Sequence, residues 1–179
     1  MNMKQIAKHI ILAAVLLPAL TLLPVSCDEE DDCTLATRAM LYCNLYRLND
    51  AGTSYITDTL VALTVTALET DSVIINAQED VSDLTLPLRF TADSTVLVLH
   101  YFTTDDDDDE DEDTITLSGQ TDTVLVRHTN TPYFLSMDCG YQMKQYVNSV
   151  AYSRHVLDSI SITDQEANIY GTENLRLYY

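Results

Sequence analysis

The chain contains no tryptophan, four glycines and only nine lysines and arginines among 179 residues. Each shortage removes a class of function. Four glycines leave no Gly-rich phosphate cradle, and neither a P-loop nor a Gly-x-Ser-x-Gly elbow occurs, which argues against nucleotide chemistry and that class of hydrolase. Scarce basic residues argue against nucleic acid, because a polyanion is held by clustered Lys and Arg that displace its counterions. Lack of tryptophan weighs against a dedicated glycan binder. The four cysteines form no CxxC pair, so no zinc site is expected. No apolar run suits a bilayer span: Ile10 to Leu23 has fourteen residues with Pro18 inside it, against the roughly 20 a spanning helix needs.

That short run reads instead as part of a cleaved signal. Met1 to Lys8 carries Lys4 and Lys8 and no acid, the apolar stretch follows, and the small residue Ser26 precedes Cys27. This is the pattern of a lipoprotein signal peptide, in which Cys27 becomes the lipid-carrying first residue of the mature chain. Pro24 stands where a lipobox usually has leucine, and Leu23 comes one place early. The chain therefore divides into a signal peptide (1–26), an acidic tether (27–33) and a single domain (34–179). Removing residues 1–26 leaves 153, the size of one ordinary domain, with seven basic residues against all 28 acids, a formal charge of −21.

Half of the acids sit in two blocks, Asp28 to Asp32 and the unbroken run Asp105, Asp106, Asp107, Asp108, Asp109, Glu110, Asp111, Glu112 and Asp113. Blocks of like charge repel and stay solvated. Calcium prefers several oxygen ligands, but a shaped loop spaces them and turns at a glycine, and this run has none. It is expected to be a solvated connection with at most weak, unselective cation association; no cofactor is expected. With Cys27 acylated, three thiols remain in an oxidising compartment, enough for one disulfide and one leftover thiol. The expected pair is Cys33 with Cys139. Cys43, mid-strand among apolar neighbours, is expected as a small buried thiol.

From Thr34 onward the hydrophobic period is two. Ala39, Leu41, Cys43 and Leu45 alternate with Arg38, Tyr42, Asn44 and Tyr46; Asn49-Asp50-Ala51-Gly52 reads as a turn; Leu60 to Leu68 alternates again, rich in valine and threonine. Short strands are expected at Val73 to Ile75 and Leu84 to Leu88, and a central strand at Thr95 to Phe102. Ser118-Gly119-Gln120 reads as a hairpin connection between Thr114–Leu117 and Thr121–His128. Thr131-Pro132 reads as an interruption before Tyr133 to Met137. Tyr141 to Tyr152 fits a strand better than a helix, because no cap precedes it. His155 to Ile162 and Glu173 to Tyr179 complete the pattern. Such short strands separated by turns point to an all-β antiparallel sandwich, immunoglobulin-like or transthyretin-like.

Two resemblances carry the reading further. The leader, the acids directly after Cys27 and the Cys33-Thr34 segment look like surface lipoproteins of the Bacteroidota, in which an acidic tract beside the lipidated cysteine acts as a signal for export to the outer face of the outer membrane. Asp28 to Asp32 would be that signal or a plain solvated tether. Further on, Asp122-Thr123, His128-Thr129, Tyr133-Phe134-Leu135-Ser136, Cys139-Gly140-Tyr141, Asn148-Ser149-Val150, Leu157-Asp158-Ser159-Ile160 and Glu173-Asn174-Leu175 resemble an uncharacterised family of Bacteroidota lipoproteins catalogued only as a domain of unknown function. Members typically have a cysteine near the mature start and another in the Cys-Gly segment, which supports pairing Cys33 with Cys139. The resemblance implies fold and location and brings no activity.

Remaining candidates are weighed against ordinary structure. His100, His128 and His155 have no ligand-spaced partner and are expected as partly exposed sheet residues. Tyr42, Tyr46, Tyr133, Tyr141, Tyr146, Tyr152, Tyr178 and Tyr179 could offer flat surface to a protein or sugar ring, but they are expected first as residues that suit a half-buried strand. The expectation is a non-enzymatic, lipid-anchored outer-membrane module exposed at the surface or to the periplasm. It would bind a protein or glycan or serve assembly. The alternative is a subunit of a surface polymer that donates Glu173 to Tyr179 between copies.

Overall fold

Alternation fixes the first strand. In Leu41–Leu48, Leu41, Cys43 and Leu45 are fully buried, while Tyr42, Asn44 and Tyr46 face outward and are half-buried. A computed structural model describes residues 38–105, 114–137 and 139–179, all within the compact unit Cys33–Tyr179. The described residues form ten strands and no helix: β1 (Leu41–Leu48), β2 (Tyr55–Thr57), β3 (Leu60–Ala67), β4 (Ser72–Val81), β5 (Asp83–Leu86), β6 (Ser94–Asp105), β7 (Thr114–Ser136), β8 (Gly140–Tyr152), β9 (Ser159–Ile162) and β10 (Glu173–Tyr178).

They make two packed five-stranded sheets. The first runs β2-β1-β10-β9, with β5 sharing the free edge of β1 with β2; the second runs β4-β3-β6-β7-β8. All pairings are antiparallel except β1 with β10, which is parallel. Between the sheets lie Leu41, Leu45, Leu84, Leu175 and Leu177 from the first and Leu63, Val65, Leu97, Leu99, Val124, Val126 and Val147 from the second. Each such aliphatic side chain contributes about 1.5–3 kcal/mol by leaving water, and this interior makes the β-sandwich one cooperative body.

Several expectations require correction. Ser118-Gly119-Gln120 does not turn the chain: β7 runs through it, and the register slips between His100 and Phe102, where these three residues of β7 stand opposite Tyr101 alone. Gly119 does adopt the left-handed conformation, φ 74°, but inside a bulge. Thr131-Pro132 does not interrupt either, since Pro132 pairs with Met143. Beyond Arg127, β7 has only β8 beside it, so a residue without an N–H breaks no second ladder. Ser153 to Asp158 is a loop and only Ser159–Ile162 is strand. The short β2 had no periodicity to announce it. The turn at Asn49 is present, with its side-chain oxygen accepting from the N–H of Thr53 and Ser54 at 2.8 and 3.3 Å and Gly52 at φ 66°.

Candidate functional site

Outward parity on β1 and β10 builds an aromatic and polar surface. Asn44 stands opposite Arg176 and Tyr46 opposite Tyr178, and a bulge at Tyr42/Cys43 lets Glu173 join them. Glu173 is the hub. Its Oε2 accepts from Asn44 Nδ2 at 2.7 Å and from the Tyr46 hydroxyl at 2.8 Å, and its Oε1 from Arg176 Nε at 2.6 Å. Burial pushes the Glu173 carboxyl up, but the hydrogen bonds from Arg176, Tyr46 and Asn44 outweigh it and leave it below the usual range. The Tyr46 phenol is raised, chiefly by donating to that carboxylate.

The rings cluster on this frame, tilted against one another. Tyr178 lies 5.8 Å from Tyr46 and 4.4 Å from Tyr55, which is 57% exposed, and the Arg176 guanidinium sits 5.3 Å from the Tyr46 ring. Tyrosine and arginine offer large contact area for little lost freedom, more so when neighbours already fix their rotamers. A protein or a sugar ring meeting this surface would find flat apolar faces with polar tips. An open cleft of about 540 Å³ lined by Tyr146, Ile162, Thr163, Asp164, Gln165 and Glu166 is shallow and mostly polar, unlike the enclosed apolar pockets that hold small molecules.

The buried polar groups are committed to holding loops. Asp122, fully buried on β7, accepts from Ser153 Oγ at 2.6 Å, from the N–H of His155, Val156 and Leu157 at 2.8 to 2.9 Å, and from the Tyr101 hydroxyl at 3.2 Å. Burial alone would raise its pKa, yet the bonds from Ser153 and the three amides hold it down to about 2. It thereby ties the loop that carries the chain from β8 in one sheet to β9 in the other. Those amides are taken by a side chain, which is why Ser153 to Asp158 is not strand despite its alternation.

His128 is also fully buried, where partial exposure was expected. Its Nδ1 is 3.1 Å from Asn130 Oδ1 and its Nε2 is 2.9 Å from Thr95 Oγ1. Asn130 Nδ2 donates to the carbonyls of Arg89, Phe90 and Ala92, at 3.1, 3.0 and 2.6 Å, so its Oδ1 must face the ring as an acceptor. His128 therefore donates from Nδ1 and accepts at Nε2 from the Thr95 hydroxyl, which itself accepts the Arg89 N–H at 2.9 Å. Burial lowers the His128 pKa and keeps the ring neutral. Gln145, buried on β8, donates from Nε2 to Asn130 Oδ1 at 2.8 Å and to Arg89 O at 3.1 Å. Asn174 similarly donates to the carbonyls of Asp164 and Glu166 and accepts from the Tyr42 N–H, pinning the β9–β10 connection.

The other sequence candidates are dispersed. His100 is half-buried and 3.0 Å from Thr66 Oγ1, while His155 is exposed on the Asp122-bound loop with Nδ1 2.8 Å from Thr121 O. Among the described residues no group of three or more His, Cys, Asp or Glu side chains could hold a metal. Cys27, Cys33 and Asp28 to Asp32 lie outside the described residues, as do Asp106 to Asp113; Asp105 closes β6 opposite Thr114. Cys43 is buried and free, as expected, with its thiol pushed up by burial. Cys139, half-buried in the β7–β8 turn, is not a free thiol. Sequence reasoning missed Asp122, Asn130, Gln145 and Asn174 as anchors. The signal was parity: Asp122 shares its inward face with Val124 and Val126, a costly place for a carboxylate without several donors.

The profile of a family of unknown function, DUF6452, matches residues 62–179. The chain belongs to that family. The match takes in most of β3 and all of β4 to β10, hence the second sheet, the Asp122, His128 and Asn174 anchors, and the β10 half of the tyrosine surface. No curated protein and no solved structure matches the chain.

Proposed function

We propose that this family member is a lipid-anchored outer-membrane protein, tethered through Cys27 and displayed at the surface, whose β-sandwich is a non-catalytic binding or assembly module. The observation that carries the binding role is the cluster of Tyr46, Tyr178 and Tyr55 rings on the open face of the first sheet, with Tyr46 fixed by Glu173 and Arg176. The buried polar side chains support the same reading, because Asp122, His128 and Asn174 are occupied in fixing loops and face the interior. A Cys33–Cys139 disulfide fits the observation that Cys43 is free while Cys139 is not. In the chain-entropy model such a link would contribute about 4–5 kcal/mol.

Strand donation by the C-terminal segment is the weaker reading. β10 lies between β1 and β9 and is hydrogen-bonded along both edges, so giving it to another copy would first open the first sheet. Cell fractionation tests the anchor: wild type is expected in the outer-membrane fraction and cut by protease added to intact cells, with Cys27→Ala released. A wild-type protein found soluble would end the anchor proposal. For the binding face, a photo-cross-linking residue at Tyr55 is expected to give a discrete adduct in cells that the same residue at Val73, on the other sheet, does not. Identical labelling from both positions would remove the face from consideration.

A further inference from the structure

The two ends of β7 differ sharply in chemistry. At its start Thr114 pairs with Asp105, and the chain between them is the acid block. At its far end, after 23 residues or about 70 Å of extended chain before bulges bend it, comes the β7–β8 hairpin tip. Asp138 is the one charged residue from Pro132 to Met143, in a sequence with 28 acids. At the tip Met137 is 89% exposed, Tyr141 75% and Phe134 52%, and Phe134 packs edge-on against its cross-strand partner Tyr141, ring centres 5.5 Å apart. Apolar side chains so exposed at a hairpin end indicate a surface that is covered in use.

The chain's own entry point says what covers it. Met40 is hydrogen-bonded to Asn168, and Ala167 to Gln145, so the described chain begins beside β8, six residues along that strand from Cys139. Cys33 precedes Arg38 by five residues, about 17 Å of extended chain, which brings a Cys33–Cys139 bond within reach. Cys27 precedes Cys33 by six residues, at most about 20 Å. We propose that the tip formed by Phe134, Met137 and Tyr141 seats in the headgroup and upper acyl layer of the bilayer that holds the Cys27 lipid. The domain then stands on the membrane at two points, with the Asp105–Thr114 pair at the distal end of β7. Tyrosine and phenylalanine suit that layer, where one side of a ring is apolar and its edge is wet. This inference rests on the lipid-anchored reading above.

The absence of tryptophan makes the test clean. The full lipidated protein carrying Met137→Trp, or in a second variant Tyr141→Trp, is reconstituted into phosphatidylcholine vesicles whose acyl chains are brominated near the carboxyl end. Leu117→Trp, exposed near the opposite end of β7, is the control. Flotation with the vesicles reports anchoring separately. Blue-shifted emission from position 137 or 141 with most of its intensity lost to bromine, and solvent-like unquenched emission from 117, is the expected result. Solvent-like emission from all three in protein that floats overturns tip docking alone; so does equal quenching at both ends of β7. Protein that does not float overturns the anchored reading and this inference with it.

Discussion

Replacing Asp122 by asparagine changes one oxygen to a nitrogen and should cost this domain about 3 kcal/mol. The native carboxyl titrates at about 2, against roughly 3.9 for an unfolded aspartate, and that difference is worth about 2.6 kcal/mol at neutral pH. Because the folded value is the lower one, this stability is fully present above the unfolded pKa and disappears as pH falls through the folded one. In Asp122→Asn an amide NH2 must face at least two of the present donors, either Ser153 and His155 or Tyr101, Val156 and Leu157. Stranding a buried donor costs about 1–3 kcal/mol, of the same order as the linkage figure and partly the same effect. Urea unfolding of the soluble domain, with thermal melts beside it, is the assay; the melting temperature should drop by roughly 6–12 °C. The gap between wild type and variant should shrink by about half from pH 7 to pH 3, since other carboxylates titrate in both and cancel. A variant within about 0.5 kcal/mol of wild type, a difference typical of ordinary surface changes, would refute the anchoring role. A gap that stays constant down to pH 3 would refute the charged-state argument.

Asn130→Ala should lose about 2 kcal/mol, because three loop carbonyls and the His128 ring lose their partner; hydrogen exchange of the Arg89 amide should accelerate in step, and unchanged protection there would contradict the account. Cys43, buried and with its thiol pushed up, should resist a thiol reagent in the folded protein and react only as fast as the domain unfolds. Prompt labelling under native conditions would show that its strand opens independently of the rest.

How far the fold was legible depended on whether parity and function coincided. On β1, β3, β6 and β10 most inward residues are aliphatic, so alternation located these strands to within a few residues, whereas β8, whose buried residues are Gln145 and Val147, was separated from a helix mainly by its missing cap. The failures came where a local signal had two structural uses. Gly119 offers positive φ, which serves a hairpin or a bulge, and only the pairing of β7 with the same strand, β6, on both sides of it decides between them. Val156, Asp158 and Ile160 alternate as a strand would, but Asp122, more than thirty residues earlier, claims the amides beside them. Of the candidate site, the tyrosines were visible as a class, yet their gathering around Glu173 needs the β1–β10 register across about 130 residues of sequence, which no local pattern encodes.

The parallel embrace of β1 by β10 has a consequence for how the molecule is made. The earliest strand of the sandwich must wait for the latest before its inner edge is satisfied, so no N-terminal fragment can rehearse the finished sheet. Such long-range closure is slow, and until it happens an apolar strand with an open ladder is available to strangers. A nascent chain that stalls before Glu173 would therefore be a hazard to its neighbours, and a chaperone that shields Leu41 to Leu48 during biogenesis would relieve it.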